Sequence, residues 1–147
     1  MSGEVRMVDI TPKKPQKRIA IAKGKIKLKP TTIKRIVKGE IEKGNVIAAA
    51  KLAAILAAKK TPELIPLCHP IPITGVNVEV SAEEEEVEVK VEVKAEAKTG
   101  VEIEAITATT IALITIWDMV KKYEKDERGQ YPTTRIEDIK VELKLKE

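Results

Sequence analysis

The chain has no phenylalanine, and only one tryptophan, two tyrosines, one cysteine and one histidine among 147 residues. A single cysteine forbids an internal disulfide and suits a reducing, cytoplasmic setting. One histidine beside one cysteine falls short of the three or four protein ligands a zinc site takes, so no protein-held metal is expected. Scarce aromatics argue against a sheet that reads single-stranded nucleic acid by base stacking. No signal peptide is visible and no apolar run is a clear membrane span, so neither a membrane nor a nucleic acid is expected as partner.

What is present is aliphatic and charged. Hydrophobic residues make up 43% of the chain, so the core must be built from Ile, Val, Leu and Ala. Charged residues make up 34% and are mostly Lys and Glu, a balance that fits a heat-adapted source. The net charge of +4 suits an anionic small ligand without demanding a polynucleotide. The length fits one domain.

Residues 1–17, basic and with two prolines, read as a mobile N-terminal arm, and 18–147 as the single domain. The alternating run RIAIAKGKIKL (18–28) predicts a strand. Pro30 and Thr31–Thr32 open a short helix to Val37, with a threonine expected as its cap. Asn45 is expected to cap an alanine-rich helix that ends before Pro62. GVNVEV, VEVKVEVKAEAK (87–98) and RIEDIKVELKLK (135–146) predict three more strands, and residues 101–126 the longest helix. The order β-α-α-β-β-α-β predicts an α+β fold: a ferredoxin-like antiparallel sheet packed against two long helices. The long helix is apolar on nearly every side from Ile106 to Val120, and one sheet covers only one side. A homo-oligomer with this helix near an interface is therefore expected.

Four stretches carry chemistry-bearing side chains. LIPLCHPIPIT (64–74) sets Cys68 beside His69 in a proline-stiffened segment that cannot be helical. Neighbours in extended chain point to opposite sides, which excludes a cysteine–histidine nucleophilic pair. The pair reads either as a small buried hydrophobe with a turn-capping histidine, or as part of a rigid binding loop. Glu102 and Glu104 in KTGVEIEA stand in the first turn of the long helix, where their charge favours the dipole with or without a ligand. Asp118 and Lys121 in IWDMVKKY share a helix face, as a plain ion pair or as an acid–base couple. Lys43 precedes the N-terminus of the alanine-rich helix, and Lys51 lies within it; each is a solvated lysine or an anion ligand. Fourteen positions separate Glu104 from Asp118, roughly 21 Å along a helix. One chain cannot bring both to a small ligand.

The stretches MVDI (7–10), KGN (43–45), LIPLCHPIPITGV (64–76), KTGVEIEAITA (98–108) and LITIWDMVKK (113–122) together resemble cyclic pyranopterin monophosphate synthase, the family of molybdenum cofactor biosynthesis protein C. The resemblance implies a lyase. It would convert a cyclised dihydroguanosine triphosphate into cyclic pyranopterin monophosphate and pyrophosphate. It implies a homohexamer, a trimer of dimers with sites between protomers, and no cofactor, with any magnesium carried by the triphosphate. Asp118 would accept a proton and Lys121 donate one. Leu67, Cys68 and His69 would line the pocket, and Glu102, Ile103 and Glu104 would meet the purine-derived ring. Lys43 would stand near the triphosphate, and Arg18 matches a basic position of the first strand. This chain departs from the family's pattern at Asn45, where aspartate is usual, and at Trp117, where tyrosine is usual. It also lacks a late glycine-rich stretch with a lysine, for which Lys140 or Lys144 are the candidates. The residues alone also allow a non-catalytic ferredoxin-like module that binds RNA or a nucleotide, or an assembly-only scaffold.

Overall fold

A computed structural model describes residues 3–147. The chain runs β1 (Gln16–Lys27), α1 (Pro30–Lys38), α2 (Val46–Leu64), β2 (Ile73–Ala82), β3 (Glu86–Ala97), α3 (Glu102–Glu124) and β4 (Arg135–Lys146). The strands form one sheet in the order β2-β3-β1-β4, with every neighbouring pair antiparallel. This is the α+β, ferredoxin-like arrangement expected, with α2 and α3 as the two long helices and α1 as a third, short one.

Period-two patterning decides which face of the sheet is covered. Ala20, Ala22 and Ile26 of β1 stand opposite Val93, Val91 and Val87 of β3, and all six are buried. Charged residues between them, Lys23 and Lys25 on β1 and Lys90 on β3 among them, form ion pairs on the open face: Glu142 meets Lys23 at 3.4 Å and Lys90 at 3.2 Å. α3 lies on the apolar face through Ala105, Ala108, Ala112, Leu113, Ile116 and Val120, all fully buried. Small residues on β1 bring it close: a Cβ at Gly24 would stand 2.9 Å from both Leu113 and Ile139. α2 covers α3 with Ala50, Ala54 and Ala58. The threonines of α3 are tolerated because Thr109, Thr110 and Thr115 each return their hydroxyl to a carbonyl one turn back at 2.8 Å. α3 has the length and hydropathy of a membrane span, but it is the core helix of this fold.

Three local expectations change. α2 does not stop before Pro62 but continues to Leu64 with the proline inside. The Pro62 ring removes one amide donor near the helix end, and the next turn still closes, with Ile65 N–H donating to the Thr61 carbonyl at 2.9 Å. α1 is not capped by a threonine: Lys29 occupies the cap, Pro30 begins the helix, and Thr32 is fully buried. β1 begins at Gln16, two residues inside the expected arm. Asn45 does cap α2, its side chain accepting from Ala48 N–H at 2.9 Å. A carbonyl oxygen suffices for that bond, which explains why the position works without a carboxylate.

Candidate active site

The residues singled out by the sequence gather at the two ends of α3. At its C-terminal end, Asp118 and Lys121 lie one turn apart, and their side chains meet at 3.0 Å. Lys43 comes in from the loop between α1 and α2 and reaches the other carboxylate oxygen of Asp118 at 3.0 Å and its backbone carbonyl at 3.1 Å. That loop is held on both sides. Glu42 N–H donates to the Tyr123 hydroxyl at 2.9 Å, and the Glu42 carboxylate pairs with Lys122. Gly39 closes α1 in the left-handed region at φ 72°, which lets the chain turn back toward α3. One carboxylate is thus clasped by two ammonium groups. Hydrogen bonds from Lys43 and then Lys121 hold the Asp118 pKa below the ordinary carboxylate value, and Asp118 in turn raises that of Lys121. Asp118 is exposed, at the rim of a hollow of about 260 Å³ formed with Ile114, Trp117, Lys121 and Ile136. Trp117 is set by an edge-on contact with Tyr131, with ring centres 5.1 Å apart.

At the N-terminal end of α3, Glu104 is 1% exposed although no cation among the described residues pairs with it. The Cys68 thiol, from the loop after α2, donates to Glu104 Oε2 at 3.5 Å. Glu104 Oε1 and Glu102 Oε2 are buried without a partner among the described residues. Glu102 Oε1 meets Lys144 of β4 at 3.1 Å. Of the two late lysines, Lys144 therefore reaches this cluster, whereas Lys140 lines a crevice with Lys23, Lys25 and Asp138. Burial, and then the neighbouring Glu104 carboxyl, push the Cys68 thiol up to about 11, so Cys68 is a donor here rather than a thiolate. Leu67 and Ile103 are exposed beside the cluster. His69 meets the N-terminal arm, its Nε2 lying 2.6 Å from the Val8 carbonyl. Arg18 is nearly buried and donates to the carbonyls of Ala97 and Lys98, each at 3.3 Å, so it fixes the approach to the glutamate turn.

Desolvation is the chief cause that raises the Glu104 pKa, and Glu102 adds to it. The folded chain therefore holds this proton to higher pH than the unfolded chain does. That contribution to stability is complete below the ordinary value of 4.5 and is lost as pH rises through the raised one. Glu104→Gln keeps the neutral shape. It is expected to raise stability at neutral pH by about 1 kcal/mol, with the gain gone near pH 4. Thermal melting at both pH values checks this.

Sequence reasoning missed the residues that set this geometry. Glu42, Tyr123 and Lys122 fix the Lys43 loop, and the choice of Lys144 over Lys140 as the lysine that reaches Glu102 depends on the register of the last strand. No local pattern signals such long-range pairings.

Fold and site together define an α+β protein of ferredoxin-like topology with an acid–base cluster at one end of its core helix and paired carboxyls at the other. The MoaC family model matches residues 7–146, and the chain belongs to the MoaC family. A protein of Pyrococcus abyssi described as a probable cyclic pyranopterin monophosphate synthase is 61% identical over 142 residues, covering 97% of this chain and 89% of its own length. One of Saccharolobus solfataricus with the same description is 60% identical over 147 residues, covering 100% and 99%. A third, of Archaeoglobus fulgidus, is 56% identical over 144 residues, covering 98% and 92%. These relatives come from thermophilic archaea, in keeping with the Lys- and Glu-rich composition.

Proposed function

We propose that the chain is a cyclic pyranopterin monophosphate synthase, a phosphorus–oxygen lyase of molybdenum cofactor biosynthesis that acts in the cytoplasm. The observation that carries the reading is the Asp118 carboxylate held at 3.0 Å by both Lys43 and Lys121. The relatives' descriptions agree with it. A cyclic monophosphate arises from a triphosphate when a sugar hydroxyl attacks the α-phosphorus. The hydroxyl loses its proton, a new P–O bond forms, the α–β anhydride bond breaks and pyrophosphate leaves. Asp118 supplies the proton acceptor, Lys121 the donor, and Lys43 the charge beside the phosphates. The same acceptor and donor serve the opening and rebuilding of the purine ring. Any magnesium travels on the phosphate oxygens, and the chain needs no cofactor of its own.

At the other end of α3, the two unpartnered carboxyl oxygens suit the N–H donors of a guanine-derived ring. Leu67, Cys68, His69, Ile103 and the paired glutamates form that subsite. The two ends of one helix stand roughly 21 Å apart, so in this reading each complete site joins the ends of two protomers. A homohexamer, arranged as a trimer of dimers, supplies the partners. Exposed Ile114 of α3 and the exposed row Ile139, Val141, Leu143 and Leu145 of β4 are apolar surfaces such an assembly would cover. A nucleic-acid-binding module has no comparable support: the open sheet face carries mutually paired charges rather than a row of aromatics.

Incubating the protein with the cyclised guanosine triphosphate tests the reading. Equal amounts of pyrophosphate and cyclic monophosphate are expected, and neither product from folded protein would overturn it. Gly100 offers a finer probe. A Cβ there would fall on Glu102 Oε2 and stand 3.0 Å from Lys144 Cε. Gly100→Ala is expected to raise KM about tenfold by displacing the ring-binding carboxyl, while the flexible ends of those side chains absorb the clash with little change in Tm.

A further inference from the structure

The MVDI stretch has no place in the chemistry above, yet the structure gives it a contact. His69 Nε2 lies 2.6 Å from the carbonyl oxygen of Val8. A carbonyl can only accept, so the proton of this bond must sit on Nε2. The neutral ring then carries its lone pair on Nδ1, where no donor is bonded among the described residues. The arm is built to hold that carbonyl in place. The Asp9 carboxylate accepts from Thr11 N–H at 2.9 Å and from the Thr11 hydroxyl at 2.6 Å, closing a turn directly after Val8. Lys13 N–H donates to the Ile10 carbonyl at 3.0 Å, and the Lys98 ammonium to that of Thr11 at 3.4 Å. Lys98 opens the KTG turn that leads to Glu102 and Glu104, so the arm meets His69 and the entry to that turn.

We propose that the N-terminal arm is a positioning element for His69. The Val8 carbonyl selects the Nε2–H tautomer and turns Nδ1 toward the substrate as an acceptor for an N–H of the purine-derived ring. This rests on the lyase reading for its ligand but not for its tautomer. Val8 acts through His69 and touches no substrate.

The chain's only histidine makes the test direct. Long-range nitrogen–proton NMR of the full-length, nitrogen-15-labelled protein, recorded on the neutral ring, yields one imidazole spin system. The expected pattern is protonated Nε2 and bare Nδ1. Asp9→Ala, an exposed change that loosens the turn but leaves His69 in place, is expected to give a mixture of tautomers. It should also lower kcat about tenfold, within what one acid–base group contributes. A bare Nε2 in the wild type, or an unchanged tautomer and unchanged kcat in Asp9→Ala, would overturn the assignment. If the wild type has the Nε2–H tautomer but makes no product, the lyase reading falls and the tautomer assignment stands.

Discussion

Replacing Asp118 by asparagine is expected to lower product formation by about 10² to 10⁴-fold, the usual contribution of a group that moves a proton in the transition state. The change is nearly isosteric, and the Asp118 side chain is 56% exposed, so Tm and oligomeric state should stay close to wild type. Two effects add to the loss. The amide cannot accept the substrate proton, and Lys43 and Lys121 lose the charge that draws both ammonium groups to one point. The pH dependence has a definite sign. The two lysines depress the Asp118 pKa, so the ion pair's small stabilisation is present above the ordinary value of 3.8 and is lost as pH falls through the folded one. Asp118→Asn should therefore flatten the acid limb of the wild-type stability profile slightly. Parallel assays of pyrophosphate and cyclic monophosphate, with melting curves from pH 3 to 7, check both points. Activity within twofold of wild type would remove Asp118 from the chemistry.

The largest effect on stability is expected at Glu124, one turn beyond Lys121 at the end of α3. Its carboxyl is fully buried at the end of α3. It accepts from Lys29 N–H at 3.1 Å, the Thr32 hydroxyl at 2.5 Å and the Thr134 hydroxyl at 2.7 Å. One side chain thus anchors the start of α1 from another helix and ties down the segment that leads into β4. Glu124→Ala leaves three donors without an acceptor and opens a cavity. A loss of about 3–5 kcal/mol is expected, since each orphaned buried donor costs about 1–3 kcal/mol. This corresponds to a fall in Tm of about 10 °C or more. Glu124→Gln, which keeps one acceptor oxygen, should lose less. Urea unfolding of the three proteins at neutral pH gives the comparison, and a loss below about 1 kcal/mol for Glu124→Ala would mean that water replaces the carboxyl.

Glu124 also marks where the sequence stops being legible. Alternation in β1, β3 and β4 revealed the strands, and in β3 the covered face, because a period of two leaves only one apolar side; the apolar row of β4 stays exposed. Asn45 revealed the start of α2, because a capping bond spans only three residues. The start of α1 at Pro30 is legible but its cap is not: Lys29 occupies it, its amide held by Glu124 95 positions away in the chain, and no local signal encodes that pairing. Asp118 and Lys121 could be paired from helical spacing alone. Their link to Lys43 could not, since it depends on Tyr123 and Lys122 holding a loop. Cys68 and His69 are adjacent in sequence yet serve different neighbours, Glu104 and Val8, as the alternation of extended chain requires.

The central claim is that the acid–base cluster of one protomer works with the ring-binding cluster of another. Mixing two inactive variants tests it most directly. Asp118→Asn lacks only the first cluster, and a chain with both Glu102→Gln and Glu104→Gln lacks only the second. Unfolded together in equal amounts and refolded, they should recover about a quarter of wild-type activity, because random assembly across a symmetric interface leaves about one site in four intact. Activity no greater than the sum of the separate variants would place both clusters' work within a single chain and contradict the shared site.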